Sequence, residues 1–510
     1  MSLRLQAKSR LLFSLTLSHR LLFITSIVML VLALGISNSS AVKSTLSIIA
    51  GNSELTASRK GGAITVHAAG RGKPYLNFQD GRSMQVTYKG ESALTSALQN
   101  GAAQARTLAS ADFDRNGTPD VVAGFAFNGA GMITLQRGNP EAFAPADASV
   151  FARMQQGYNP DSLLPGADVY AVPVSPDFMV TGSFTRHSEK DVLFAAKGGA
   201  LYLMTGDGSG RLGSPQEIPL PGVVTALAAG EFRAADGITD IAVGVAGGGG
   251  NFLLIFDGAK GFNDPVVQQP LSDAASGIEF GGLDDDPFMD VAVADGDEVT
   301  VVHGWGRKEQ VTPESRVEHV KVAAGLRGLA VGEFAWDREG HSEIAALSSD
   351  GEVHIVKNAK SDDRPFSDAE AAKRTRGNLK LNKIAQSVDV ESLPSWNPSN
   401  AAGWNEYTKF SASSTGVSSA SARPLLRSNL SYREMDDLVL VDGSESQLKV
   451  MHSMSPSDTA LGNVSAPSNL PTTIVDTQSA PVAVLTLPRK LNGVTDVVML
   501  DAASPDLNIV

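Results

Sequence analysis

The stretch ADFDRNGTPDVVAGF, residues 111–125, alternates oxygen-bearing side chains with other residues and then enters an apolar run. Such a stretch is typical either of a cation-binding loop or of a polar turn that is rich in Asp and Asn. The oxygen-bearing side chains stand at loop positions 1, 3, 5 and 9, and Gly117 stands at position 6. Alternate side chains converge when a loop curls around a hard cation, and a glycine permits the sharp turn. The spacing therefore favours the cation-binding loop.

Five residues of this loop are the predicted ligands: the side chains of Asp112, Asp114, Asn116 and Asp120, and the backbone carbonyl of Thr118. Calcium accepts six to eight oxygen ligands at about 2.3–2.6 Å. An EF-hand would need a bidentate Glu at position 12 of the loop, but this sequence has an alanine there, and strand-like runs flank the loop. The sequence therefore predicts a Ca²⁺ site in a β context.

The same order of segments recurs along the chain: an apolar run, a polar loop, an acidic residue and a second apolar run. Counting residues 111–125, there are seven copies, and the other six lie at 180–196, 228–245, 279–296, 330–351, 426–443 and 484–501. An acidic residue opens the second run of each copy, in the order Asp120, Asp191, Asp240, Asp290, Glu343, Asp437 and Asp496. A repeat of this kind indicates one structural unit used seven times.

Two further extended segments follow most copies, so a repeat holds four strands over roughly 50 residues, which is the period of propeller blades. Residues 101–510 are therefore predicted to form an all-β, seven-bladed β-propeller of four-stranded antiparallel blades. The repeat is stretched after Arg137 and by residues 357–427, which we predict to be a partly disordered insertion that also carries one blade's outer strand.

The last copy ends at Val510 without an outer strand. Residues 42–100 contain the extended runs AITVHAAG and YLNFQDGRSMQVTYKG, and the second of these has the Asp-Gly turn of a hairpin. We therefore expect residues 42–100 to supply N-terminal strands, one of which, within 62–90, completes the seventh blade. This would leave no open sheet edge.

Residues 1–41 have basic residues first, then the uncharged apolar run 21–36, then small residues. This order is typical of a signal peptide cleaved after Ala41, or of an uncleaved signal anchor. Both interpretations place the protein outside the cytoplasm, as a secreted or cell-envelope or surface protein. The chain has no cysteine, so no disulfide can stabilise it there.

The formal net charge is −13. An acidic protein repels phosphate backbones, so we expect no nucleic acid as a partner. The same charge is compatible with binding divalent cations. A membrane would be contacted only through the N-terminal segment, if that segment is not cleaved.

The pattern D-x-D-x-N-G-x-x-D before an apolar strand, repeated sevenfold, resembles the FG-GAP (VCBS-type) repeats of integrin α-subunit propellers and of secreted bacterial proteins. The resemblance covers roughly residues 100–510; it is specific in the first copy and looser in the others. It implies a seven-bladed propeller that holds calcium between the first and second strands of certain blades. It also implies a role in binding protein or glycan ligands, or in accompanying an enzyme.

The fourth copy is the next best candidate for calcium. It keeps Asp284, Asp286 and Asp290 but has Gly282 at the first position, so a weaker site is expected there. In the other copies the acidic residue is expected to cap the loop by accepting backbone N–H groups. The loops of the third copy (Glu231, Asp236, Asp240) and the fifth copy (Glu333, Asp337, Glu343) contain extra residues, so their register stays open.

The eight histidines have no metalloprotease spacing, and no cysteine or G-x-S-x-G nucleophile is present. The four tryptophans could bind sugars by stacking. Trp305 and Trp336 are expected to pack inside the protein, whereas Trp396 and Trp404, in the insertion, are better candidates for exposed contacts. The leading hypothesis is an exported, calcium-binding adhesion or binding module for an extracellular protein or glycan, without catalysis. The alternatives are a secreted carbohydrate-active enzyme, either a lyase or a hydrolase, on the same scaffold, and a structural envelope component.

Overall fold

Seven β-sheets follow one another in a computed structural model of the protein. Four sheets have the four strands of one repeat, two have a fifth strand from the N-terminal region, and one has three strands of a repeat plus one from that region. The structure describes residues 65–68, 76, 81–187, 189–233, 236–367, 369–370, 373, 393–401, 403–413, 423–431, 434–454, 470–477, 479–489 and 494–510. The predicted seven-bladed β-propeller is confirmed.

Three short strands precede the blades: β1 (Thr65–Ala68), β2 (Arg82–Ser83) and β3 (Thr87–Lys89). The strands of each blade are given from the innermost to the outermost. Blade one has β4 (Gln104–Ala111), β5 (Asp120–Phe127), β6 (Ala130–Gly138) and β7 (Leu163–Val172), and blade two has β8 (Phe178–Gly182), β9 (Asp191–Ala195), β10 (Leu201–Met204) and β11 (Gln216–Ile218). Blade three has β12 (Val223–Gly230), β13 (Asp240–Gly247), β14 (Gly250–Phe256) and β15 (Val267–Leu271), and blade four has β16 (Gly277–Gly281), β17 (Asp290–Asp295), β18 (Glu298–Val302) and β19 (Val317–Lys321).

Blades five to seven complete the ring. Their strands are β20 (Leu326–Gly332), β21 (Glu343–Ser348), β22 (Glu352–Asn358) and β23 (Trp404–Ser411); β24 (Leu425–Ser428), β25 (Asp437–Asp442), β26 (Gln447–His452) and β27 (Thr472–Asp476); and β28 (Pro481–Arg489), β29 (Val494–Asp501) and β30 (Ser504–Ile509).

The second strand of a blade is apolar along its length because neighbouring blades cover both of its faces. All six residues of β17 and all six residues of β21 are buried. Strands with both faces covered show continuous apolar runs rather than alternation. This explains why the second apolar run of each copy was the clearest signal in the sequence.

Each of the seven buried clusters of apolar side chains lies between two consecutive blades. The interface that closes the ring joins blade seven to blade one, and its members include Leu487, Val498, Leu500, Ala105, Val121 and Phe125. Aromatic and aliphatic side chains of one blade pack against the next, and burial of such side chains stabilises each by about 1.5–3 kcal/mol. The ring is therefore closed by packing as well as by strand pairing.

The N-terminal strands attach to three different blades. β2 pairs with β30, with Arg82 opposite Ile509, and so supplies the fourth strand of blade seven, as predicted. β1 adds a fifth strand to blade six, with Thr65 opposite Asp476. β3 pairs in parallel with β7 of blade one, with Thr87 opposite Gly166.

The hairpin predicted around the Asp-Gly turn near residue 80 stays a prediction, because the run before that turn lies, apart from Leu76, outside the described residues. β2 and β3 both follow the turn, and they pair with different blades. Without these two strands, β30 of blade seven and β7 of blade one would present backbone N–H and C=O groups without partners. β2 and β3 each cover one of these edges.

Outside the sheets, the described part of the chain includes the helices α1 (Ser92–Gln99), α2 (Pro140–Phe143) and α3 (Ala148–Gln155). The two later helices form the insertion predicted after Arg137. Their starts are capped by Asn139, which accepts the Glu141 N–H at 3.1 Å, and by Asp147, which accepts the Ser149 N–H at 2.8 Å. The insertion therefore has order of its own between β6 and β7.

The second predicted insertion, residues 357–427, contains β23, which is the outer strand of blade five. The sequence therefore placed this strand correctly. The predicted disorder concerns stretches such as 374–392 and 414–422, which lie outside the described residues.

The predicted signal peptide or anchor, residues 1–41, also lies outside the described residues and stays a prediction. Among the residues that the structure describes, no helix has the length and apolar character that crossing a membrane requires.

Candidate metal centre

The loop between β4 and β5 brings the predicted acidic ligands together. Carboxylate oxygens of Asp112, Asp114 and Asp120 lie within 4.8 Å of one another. The backbone turns back sharply at Gly117, whose φ of 81° favours glycine. The three carboxylates therefore converge as the spacing predicted.

Backbone N–H groups hold all three carboxylates: Asp114 accepts the Asn116 N–H at 3.2 Å, and Asp120 and Asp112 accept shorter bonds. Asp120 is fully buried and accepts the Phe113 N–H at 2.9 Å and the Gly138 N–H at 2.7 Å. Asp112 accepts the Gly117 N–H at 2.8 Å. An ionised carboxylate has about four acceptor sites, so these bonds orient the three groups and leave further acceptor sites.

Asn116 and Thr118 occupy the middle of the same loop and contact each other. The side-chain oxygen of Asn116 accepts the Thr118 N–H at 2.8 Å and also the Thr118 hydroxyl. Thr118 is buried. Both residues thus help to shape the turn that carries the three carboxylates.

The charge of the cluster is only partly balanced within the protein. Arg137, at the end of β6, lies 2.8 Å from Asp114 through Nη1 and Oδ2, and it also donates to the carbonyls of Ser209 and Gly210 in the next blade. Three carboxylates and one guanidinium leave a net charge of −2. A divalent cation would match that charge.

The pKa of Asp120 shows that this arrangement disfavours the ionised carboxylate. Burial raises it to about 6, and the Asp114 carboxylate adds to the rise, although N–H donors oppose it. An oxygen-only donor set with converging carboxylates and a glycine turn is the chemistry that calcium prefers. The residues present in the first loop therefore fit a Ca²⁺ ion.

The fourth loop is arranged differently. Asp284 and Asp290 converge on His303, a residue at the end of the third strand of the blade. Asp286 turns to other partners and accepts the Phe288 N–H at 2.8 Å and the Trp396 N–H at 2.6 Å. The three predicted ligands of this loop therefore do not converge: Asp284 and Asp290 lie beside His303, and Asp286 binds other groups.

His303 is buried with its ring nitrogens facing carboxylates. Nδ1 lies 2.8 Å from Asp284 and 3.3 Å from Asp290, and Nε2 lies 3.1 Å from Glu318. Burial lowers the pKa of His303, but hydrogen bonds to these carboxylates outweigh it and raise the pKa to about 11. The sequence did not identify this residue; its position opposite the start of β17 was the available signal.

The fifth loop also has a histidine that the sequence did not identify. His341 lies 3.0 Å from Asp337 and 2.7 Å from Asp285 of the neighbouring fourth loop. Glu343 is buried and accepts N–H groups of Phe334 and Ala335, as a capping residue does. In this loop Asp337 therefore contacts His341, and Glu343 caps the backbone.

In blades one to four the acidic residue that opens the second strand has one repeated environment. One carboxylate oxygen accepts the N–H of the residue seven positions earlier, which confirms the predicted capping role in the second and third copies. The other oxygen accepts, at 2.7–3.1 Å, the N–H of a glycine beside the end of the third strand; the pairs are Asp120–Gly138, Asp191–Gly206, Asp240–Gly258 and Asp290–Gly304.

These four positions require glycine. A Cβ atom on any of them would lie 2.1–2.5 Å from the backbone oxygen of the residue just before the acid. No side chain fits such a contact. A glycine that closes the third strand of a copy is therefore the sequence signal for this pairing.

The tryptophans only partly follow the predictions. Trp305 packs edge-on against Phe232 and Trp336 is buried, as expected. The prediction of an exposed contact is wrong for Trp396, which is buried and stacks on His303 with 4.0 Å between ring centroids. Trp404 is half-buried and donates its indole N–H to Glu318 at 3.1 Å.

Two cavities open near these elements. A central channel of about 430 Å³ is lined by the innermost strands of all seven blades, with the ion pairs Arg106–Asp177 and Arg423–Glu279 in its wall. A second cavity of about 390 Å³ lies between the fourth and fifth loops, beside Trp396.

No family model matches the chain, and no curated protein matches it. Among solved structures it is similar to BBS1N in complex with ARL6DN, with 10% identity, a TM-score of 0.44 and coverage of 80% of this chain and 92% of that chain. It is also similar to the Cps50 (Swd1) β-propeller domain of Myceliophthora thermophila, with 11% identity, a TM-score of 0.38 and coverage of 80% and 95%. The corresponding values for the Dos1 propeller are 9% identity, a TM-score of 0.40 and coverage of 88% and 92%. These likenesses extend no further than the fold.

Proposed function

We propose that this protein is an exported, calcium-binding β-propeller of the FG-GAP type that binds an extracellular protein or glycan without catalysing a reaction. The observation that supports this most is the convergence of Asp112, Asp114 and Asp120, which leaves a net charge of −2 after Arg137 is counted. The leader-like sequence at residues 1–41 supports export to the cell surface or the medium.

The propeller scaffold suits a binding role. Seven blades packed side by side form a rigid ring, and the loops between the first and second strands of all blades emerge at the same end of that ring. Rigid scaffolds that present loops are common sites of recognition. Calcium in the first loop would fix the shape of one of these loops.

Calorimetric titration of the purified protein with Ca²⁺ tests the metal part of the proposal. We expect saturable binding that Asp114→Ala abolishes. The matched control is Asp350→Ala, because Asp350 accepts the Ser348 hydroxyl and the Glu352 N–H in the turn between β21 and β22 of blade five, a polar turn in another blade. Absence of binding by the wild-type protein, or equal loss in both variants, would refute the site.

The ligand part is tested by probing glycan and protein arrays with the protein in calcium and again in EDTA. We expect the protein to bind a glycan or protein ligand in calcium and to bind it more weakly in EDTA, because the first loop would shape the recognition surface. A protein that binds no glycan or protein ligand under either condition would contradict the binding role.

A second candidate function, a carbohydrate-active enzyme, is favoured by one observation. Burial and the nearby Asp284 carboxylate raise the pKa of Asp286 to about 7, and Asp286 lines the cavity of about 390 Å³ beside Trp396. Perturbed carboxyl groups in cavities are candidates for acid–base catalysis. Release of sugar ends from a polysaccharide panel, abolished by Asp286→Asn, would favour the enzyme over the binding module.

A further inference from the structure

The fourth blade disagrees with the expectation that its loop holds calcium. Both ring nitrogens of His303 face carboxylate oxygens, from Asp284 and Asp290 on one side and from Glu318 on the other. Ionised carboxylates accept hydrogen bonds and cannot donate them. Both nitrogens must therefore carry a proton, which makes the ring a cation.

The carboxylates beside His303 are already engaged as acceptors. Asp290 accepts the Leu283 N–H at 2.7 Å and the Gly304 N–H at 3.1 Å. Glu318 accepts the indole N–H of Trp404 at 3.1 Å on the same oxygen that faces His303. These bonds favour the ionised carboxylates, so the protons of both contacts belong to the ring.

The ring is also fixed in place by the insertion of blade five. The indole of Trp396 stacks on it with an interplanar angle of 8°, and the Trp396 N–H donates to Asp286. An aromatic face attracts a cation. His303 is 1% exposed, so water cannot replace these contacts.

In the first blade an arginine stands at the position that His303 has in blade four. Val121 pairs with Gln136 and Val291 pairs with Val302, which puts Arg137 and His303 at equivalent positions on their third strands. The long Arg137 side chain reaches one carboxylate and continues to the next blade. The short imidazole instead lies between Glu318 on one side and the two loop carboxylates on the other.

We propose that the imidazolium of His303 occupies the position of the loop cation in blade four, so that this loop is held without calcium and the residues there do not fit a metal ion. The inference stands on blade four alone and holds whether or not the first loop binds calcium.

The test uses Ca²⁺ as the probe and the full chain with Asp114→Ala, so that the first loop does not contribute. Calcium should leave the melting temperature of this variant unchanged. Adding His303→Ala should create a calcium-induced rise of several degrees, because ligand binding stabilises the folded state, and Asp284→Asn should abolish that rise. His319→Ala is the matched control, since His319 is an exposed histidine of the same blade that pairs with Glu298.

Two results would overturn the inference. One is calcium binding by the Asp114→Ala protein that Asp284→Asn abolishes, because the fourth loop would then hold the ion with His303 in place. The other is a folded His303→Ala variant without a calcium response. If that variant does not fold, nitrogen NMR of the ¹⁵N-histidine-labelled wild-type protein at neutral pH decides the question: two protonated ring nitrogens support the inference and a neutral ring contradicts it.

Discussion

The carboxyl group of Asp120 is buried and lies close to the carboxyl groups of Asp112 and Asp114. Its pKa is about 6, against about 4 in an unfolded chain. The folded, metal-free protein therefore binds this proton more tightly than the unfolded chain, and this group lowers stability progressively as the pH rises from about 4 to about 6. Calcium requires the ionised form, so it competes with the proton.

This competition gives a prediction for pH. We expect the calcium-induced rise in melting temperature to be largest near pH 7.5 and to shrink as the pH falls through about 6, because protonated Asp120 cannot be a ligand. Differential scanning calorimetry with and without calcium at each pH measures it. A rise of equal size at pH 5 and pH 7.5 would contradict the role of Asp120.

Arg137 is expected to oppose calcium, since its guanidinium already pairs with Asp114 at 2.8 Å. Arg137→Gln should tighten calcium binding about three- to tenfold in calorimetric titration, which corresponds to about 0.7–1.4 kcal/mol. Arg186→Gln is the control, because Arg186 is exposed and donates to the Ala259 carbonyl. An unchanged or weaker affinity in Arg137→Gln would show that the two cations do not compete.

At this scale the sequence predicted what is local in the chain. Asp112, Asp114 and Asp120 belong to one short loop, and their spacing alone indicates convergence. The position of His303 depends on the register of β17 and β18, which brings a residue from another strand beside Asp290. Spacing within a loop carries no information about such a contact.

At the scale of elements, the acid and the glycine join the two ends of a blade's central hairpin. The buried carboxylate caps the loop before the second strand and also accepts an N–H beside the end of the third strand. If the buried carboxylate lost one of these donors, the free energy of unfolding would fall by about 1–3 kcal/mol. The pairing therefore sets the geometry of each loop independently of any metal.

Gly258→Ala tests this pairing. The new Cβ would lie 2.4 Å from the Thr239 backbone oxygen and would displace the N–H that Asp240 accepts. We expect a loss of about 2–4 kcal/mol in the free energy of unfolding, measured by denaturant titration.

The matched control for this change is Gly248→Ala, in the turn between β13 and β14 of the same blade. A Cβ at Gly248 meets nothing within 4 Å, so a change within about 0.5 kcal/mol is expected. Equal effects of the two substitutions would show that the close packing at Gly258 does not matter for stability.

The insertion of blade five contains a contact that the sequence did not predict. Its polar, low-complexity composition indicated exposure, and that indication misplaced Trp396. The indole packs on His303 because the insertion returns to the loop end of blade four. Such a long-range contact depends on the path of the chain after β22, which composition does not determine.

At the scale of the whole molecule, strands from residues 65–89 and from the last repeat close the ring. β1, β2 and β3 pair with blades six, seven and one, so the N-terminal region spans the junction where the chain ends. The seven-fold repeat was enough to predict the ring and its closing strand. The distribution over three blades was not predictable, because strands of two to four residues carry little pattern.

This closure predicts how truncation acts. Removing residues 1–90 deletes β1 to β3 and exposes the edges of three blades, so we expect a fall in melting temperature of several degrees and self-association, seen by light scattering. Removing residues 1–60 should change neither property, because every described strand lies in the unit that begins at Gly61. Equal behaviour of the two truncated proteins would contradict closure by the N-terminal strands.

The most direct test of the central claim is an anomalous difference map from crystals of the protein grown with calcium. The account predicts a propeller of seven blades with a peak about 2.3–2.6 Å from carboxylate oxygens of Asp112, Asp114 and Asp120, and none between Asp284 and Asp290. A first loop without a peak at saturating calcium, or a peak beside His303, would contradict it.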